Sequence, residues 1–144
     1  MSTQVDFYLF EHDDEQRMIQ TVCKLANKAV GAGLRLFIQT ANDIQSRKLD
    51  DALWAFSADS FLPHETQTKG VMATDPIVIG CEINANNQRD MLISLIETVQ
   101  SPLSHFARIA DIVLGNEIAK SKARQRYAVY RDQGAAVKAH PLKQ

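Results

Sequence analysis

Cysteine is scarce in this 144-residue chain: Cys23 and Cys81 are the two present, far apart and without CxxC spacing. That excludes a disulfide scaffold and a cysteine-rich zinc site, and predicts two buried thiols that behave as small hydrophobes in a reducing compartment. No apolar run approaches the roughly 18 residues needed to cross a bilayer, so no membrane partner is expected. The opening MSTQVDFYLFEHDDE lacks a basic stretch followed by an apolar one, and no export is predicted. The expected location is therefore cytoplasmic. Glycine is thin as well, at six residues. A net charge of −1 offers no bulk attraction for a polyanion, so little direct DNA binding is expected.

Catalytic signatures are missing too. His12, His64, His105 and His140 are scattered and match no metal spacing, although His12 beside Asp13 and Asp14 leaves open a divalent ion or a solvated acidic cap. There is no GxSxG, HExxH or paired Cys/His motif. A phosphate-cradling loop needs glycines at a helix N-terminus, yet the segment after the first expected strand carries Glu11, Asp13, Asp14 and Glu15. Gly31 and Gly33 fall before a strand, where they stop a helix. No cofactor, metal or catalytic residue is assigned. A small α/β nucleotide-binding enzyme or sensor, using the carboxyl ends of the strands, stands as the alternative function.

What is present is a patterned α/β chain. Residues 5–10 (VDFYLF) predict a strand. Asp13 or Asp14 then caps a helix whose buried face repeats through Met18, Val22, Leu25 and Ala29. Residues 34–38 (LRLFI) predict a second strand, which gives the β-α-β logic of a parallel sheet. A second helix is predicted over 46–56, with Leu49, Leu53 and Trp54 on its apolar side. A short extended piece over SFLPHE follows, then strands at 76–80 and 111–114, with 91–95 between them strand-like by alternation but open to a helix. A short helix is expected to open within 102–108, and a last helix to end near Gln133 with Gly134 as its cap. The fold class is α/β, with a mostly parallel central sheet flanked by helices and no phosphate loop. Residues 1–134 form its single domain, and residues 135–144 a loose C-terminal tail.

Two constellations suggest binding. Residues 117–133 hold Lys120, Lys122, Arg124, Arg126 and Arg131 against Glu117 and Asp132. Ala119, Ala123, Tyr127 and Tyr130 share one helical face there, edged by Lys120, Arg124 and Arg131. That arrangement suits a short peptide bearing carboxylates and a hydrophobic anchor, or else an ordinary solvated amphipathic helix. The second constellation gathers Trp54, Phe56, Phe61, Leu62 and Pro63, either as an interface or as a satellite core with Trp54 buried.

Four segments in register, FYLF, DALWxFxxxSFLPH, RDMLISL and ARQRYxxYRDxG, make the chain resemble the chi subunit of bacterial DNA polymerase III. The resemblance runs from about Val5 to Gly134. It implies a non-catalytic adaptor in the clamp-loader assembly that pairs with the psi subunit and binds the acidic, phenylalanine-ending tail of single-stranded DNA-binding protein. Some members also pair with a repair helicase through the psi surface. Carried onto this chain, Arg124 would meet the tail's terminal carboxylate, supported by Lys120, Tyr127 and Arg131. Trp54, Phe61 and Pro63 would form the psi or helicase surface. Where a lysine often follows the RY pair, this chain has Ala128, which removes one cation that Arg131 or Lys122 would have to replace.

Overall fold

A computed structural model describes residues 3–56, 62–67, 73–83, 89–99 and 106–142. Their elements run β1 (Gln4–Phe10), α1 (Glu15–Gly31), β2 (Leu36–Gln39), α2 (Asp43–Phe56), β3 (His64–Thr66), β4 (Ile77–Gly80), β5 (Met91–Ser94), β6 (Arg108–Val113), α3 (Glu117–Asp132) and β7 (Ala136–Leu142). The strands form one seven-stranded sheet in the order β3-β4-β2-β5-β6-β1-β7, every neighbouring pair parallel. Alternate residues of each strand face opposite helical layers. Leu36, Ile38, Ile77, Ile79, Met91 and Ile93 share one core cluster with the buried faces of α1 and α2, whereas Val5, Phe7, Phe37, Val78, Leu92 and Ile109 belong to the opposite cluster, which Phe106 and the α3 residues Ala123 and Tyr130 complete. Coverage on both faces explains why the short central strands β2, β4 and β5 are buried throughout.

The helices begin where their caps dictate. Asp14 Oδ1 accepts the Arg17 N–H at 3.2 Å and starts α1, with Glu15 in the first turn where the helix dipole favours it. The helix runs to Gly31, and Gly33 takes φ 87°, a left-handed conformation suited to glycine. The second helix starts a turn earlier than Ser46, because Asn42 Oδ1 caps the Gln45 N–H at 2.8 Å. Ser46 is buried and lies 2.6 Å from the Thr40 hydroxyl. Asn116 caps α3 through Ala119 N–H at 2.7 Å and donates its own amide to Asp13 at 2.8 Å. One side chain thus ties the loop after β1 to the start of α3.

Three sequence expectations need correction. The expected loose tail over 135–144 is ordered through its described part: Ala136–Leu142 is a full strand pairing in parallel with β1. Its residues are mostly exposed, which hid it from a hydrophobicity pattern. It is held by the backbone ladder, by His140 Nε2 at 2.8 Å from Asp6 Oδ1, and by a Tyr8–His140 ring stack at 5.3 Å. The helix expected within 102–108 does not include its last residues, since Phe106 is buried outside any helix and Arg108 opens β6; residues 102–105 lie outside the described residues. The cysteines also differ from each other. Cys23 is buried and its thiol is pushed up to about 11 by that burial. Cys81 is half-buried among polar groups, with its sulfur 3.4 Å from the Thr40 hydroxyl.

Candidate functional site

The second half of α3 shows how its side chains divide. Two residues along a helix turn the direction of a side chain by about 200°, so Arg124 and Arg126 point to nearly opposite sides. Arg126 goes inward. It is 5 % exposed, and its Nε and terminal nitrogen donate to the two oxygens of fully buried Asp111, each at 2.8 Å. A third bond reaches the Glu97 carbonyl at 3.0 Å. Burial pushes the Asp111 carboxyl up, and the hydrogen bonds and charge of Arg126 pull against that shift. The pair welds α3 to β6, and it is structural. Lys122 is also committed, donating to Glu97 at 2.7 Å and holding that carboxyl below its ordinary range. It faces away from Arg124 and cannot replace a cation there.

Arg124 goes outward, and with Lys120 and Tyr127 it borders a cavity of about 310 Å³. Phe7, Leu9 and Phe10 of β1, Val113 at the end of β6 and Leu114 beyond it supply the apolar walls, with Ala123 beneath and Ala139 of β7 at the margin. The ring of Tyr127 leans on Phe7 at 5.6 Å between centroids, which fixes one wall. Among the described residues, neither Arg124 nor Lys120 has an ion pair or hydrogen-bonding side-chain partner. The site is therefore an apolar hole with two uncommitted cations at its rim, and its size falls at the small end of the roughly 300–1,000 Å³ typical of ligand pockets. Arg131 is exposed in the last turn of α3, outside the cavity lining, where it complements the helix dipole. The sequence brought Lys120, Arg124 and Tyr127 together correctly. It missed the strand residues that build the pocket.

The other predicted surface lies on α2 and β3. Leu49 and Leu53 of α2 are buried, but Trp54 is 54 % exposed, its ring edge-on to buried His64 at 4.6 Å between centroids. Phe56, two residues further along α2, is exposed on another side of the helix, where it lines a groove with Cys23 and Lys24 of α1, and Pro63 is half-buried. Phe61 lies outside the described residues. The satellite-core reading of Trp54 does not hold: the indole faces solvent. His64 is held through Nδ1, 2.9 Å from the Leu62 carbonyl, while its Nε2 lies 3.2 Å from Asp50 Oδ1 without a hydrogen bond between them.

The loop after β1 is acidic and internally bonded. Asp14 caps α1, Asp13 accepts from Asn116, and Glu15 meets Lys48 at 2.8 Å. Gly115 packs against the Phe10–Glu11 backbone so closely that a Cβ there would collide with the Glu11 carbonyl. Among the described residues no cluster of three or more His, Cys, Asp or Glu side chains is placed to hold a metal ion, and none of the helices is long and apolar enough to cross a membrane.

This geometry coincides with a family match over residues 1–138, to the family described as DNA polymerase III chi subunit, HolC. The chain belongs to the DNA polymerase III chi subunit family. It is 32% identical to DNA polymerase III subunit chi of Pseudomonas aeruginosa over 142 residues, 97% of each chain. To the Escherichia coli subunit chi it is 32% identical over 133 residues, covering 89% of this chain and 90% of that one. The Haemophilus influenzae subunit chi is 27% identical over 135 residues, 93% of this chain and 94% of that one. Both candidate surfaces thus lie within the part of the chain that is chi-like.

Proposed function

We propose that this chi-family chain is a non-catalytic accessory subunit that links the clamp loader, through psi, to the C-terminal tail of single-stranded DNA-binding protein. The observation that carries the reading is the apolar cavity beside Arg124 and Lys120, whose charges lack a partner among the described residues. A tail ending in phenylalanine presents an aromatic ring and a terminal carboxylate on adjacent atoms. The ring fills the Phe7–Leu9–Val113 hole, and the carboxylate meets the Arg124 fork in a charge-assisted bond. Acidic residues upstream face Lys120, with Arg131 adding a more distant positive field in place of the cation absent at Ala128. Because the cations sit at an open rim, salt weakens the contact.

Trp54 and Pro63, together with Phe61, form the second docking surface in this reading, which receives psi or, in its place, a repair helicase. An exposed tryptophan is the kind of aromatic anchor that dominates interface energetics. The tail reading is tested by titrating a labelled acidic peptide ending in Phe against the wild-type chain and Arg124→Glu. The reversed charge is expected to weaken binding by at least tenfold. Equal affinities would remove Arg124 from the site.

A further inference from the structure

The last strand supplies something the pocket alone does not. In a parallel ladder, a residue's N–H and C=O point to the same side of the strand, and successive residues alternate. Ala136 donates its N–H to the Thr3 carbonyl at 3.0 Å, so Ala136, Lys138 and His140 bond inward to β1. On the other side of β1, Gln4 donates to the Ala107 carbonyl at 3.0 Å, which fixes the same alternation independently. Val137, Ala139 and Pro141 therefore turn their backbone groups outward. β7 is the end of the sheet, and no strand covers that side among the described residues. Pro141 has no N–H to offer and sits where a sheet tolerates proline, at an outward position of an edge strand. It stops any ladder there, leaving Val137 and Ala139 as the outward donors.

The same alternation sends the Val137 and Ala139 side chains to the α3 face. Val137 packs against the core on that face, and Ala139 borders the Arg124 cavity. The exposed backbone edge and the pocket thus meet at one small residue, Ala139. The positive groups that border the pocket are Lys120 and Arg124.

We infer that the outer edge of β7 takes an added strand: the acidic tail whose aromatic end occupies the Arg124 pocket pairs its upstream residues with Val137 and Ala139. The inference rests on the tail-binding reading above and extends it. The pocket lies toward the carboxyl end of the sheet, beside Leu9, Phe10 and Val113. A chain whose C-terminus is anchored there and which extends back along β7 runs parallel to it. Main-chain bonds then contribute affinity without demanding a particular upstream sequence, as in other strand-addition complexes. The pocket and the cations supply selectivity for an acidic chain end.

Amide hydrogen exchange on the isotope-labelled full chain tests this, with an acidic ten-residue peptide ending in Phe as the probe. In the free protein, Lys138 and His140 amides are expected to be protected by β1, while Val137 and Ala139 exchange fast. Saturating peptide is expected to slow Val137 and Ala139 by tenfold or more. A three-residue peptide with the same end should bind more weakly and leave both amides fast. Binding of the long peptide with no change at Val137 and Ala139 overturns the added strand and leaves the pocket reading standing. Failure of the peptide to bind at all overturns both. Protection of Val137 and Ala139 in the free protein that grows with its concentration would mean that a second copy of the chain occupies the edge, which also overturns the proposal.

Discussion

The two sides of the molecule that carry candidate docking surfaces are built in different ways. Around Trp54 the surface is a projection: a half-exposed indole stands on α2, braced edge-on by a buried histidine. Around Arg124 the surface is a hole, walled by β1, β6, α3 and the margin of β7 and rimmed by cations. A projecting ring is an anchor that enters a partner, whereas a rimmed hole receives one. The same contrast appears within a single helix turn. Arg126 is committed to holding the fold through Asp111, and Arg124, two residues earlier, is left for a ligand.

The largest expected effect separates those two arginines. Arg126→Met leaves Asp111 buried without its counter-charge and should cost about 3–5 kcal/mol in urea unfolding at neutral pH. Removing Arg126 also removes what pulls the Asp111 carboxyl down, so burial raises its folded-state value further. For an acid whose folded value lies above its unfolded one, the native state holds more protons between the two, and stability falls as pH rises through that window. The Met variant should therefore lose less against wild type in mild acid than at neutral pH. A deficit that does not shrink on acidification would mean that Asp111 stays ionised without Arg126.

Next in size is Trp54→Ala. It should weaken capture of a psi-like partner by about 2 kcal/mol or more, the scale of an interface hot spot, yet change unfolding free energy by only about 0.5 kcal/mol because the ring is largely exposed. Unfolding of this variant would show that the indole supports the core after all. Smaller again is the response to salt. Raising ionic strength from 0.05 to 0.3 M (arbitrary test conditions, spanning Debye lengths of roughly 14 to 6 Å) should weaken the tail peptide several-fold and the Trp54 partner less. Equal salt sensitivity at both sites would erase the proposed difference in their chemistry.

Much of this was legible before the structure, for physical reasons. The periodic faces of α1 and α3 and the apolar strands β1, β4 and β5 each have a local pattern set by one buried side. Lys120, Arg124 and Tyr127 could be grouped because helical spacing alone places them together. Phe7, Val113 and Ala139 could not, since they meet only through the register β6-β1-β7. β7 escaped notice because Val137 and Ala139 face one layer and Leu142 the other, with most of the strand exposed. The fate of Arg126 had two available signals: Asp111 is an acid inside an otherwise apolar strand, and a buried charge requires a partner. Arg126 also lies three residues after Ala123 and four before Tyr130, on the buried stripe of α3, whereas Arg124 lies at its edge.

The central claim is that a tail-receiving pocket and an aromatic anchor lie on one chain and act separately. It is tested most directly by measuring both bindings, to the Phe-ending acidic peptide and to a psi-like partner, on Arg124→Glu and Trp54→Ala side by side. The account predicts a crossed result. Arg124→Glu loses the peptide by tenfold or more and keeps the partner, and Trp54→Ala keeps the peptide and loses the partner. Loss of both bindings in either folded variant, or of neither in Arg124→Glu, would contradict it.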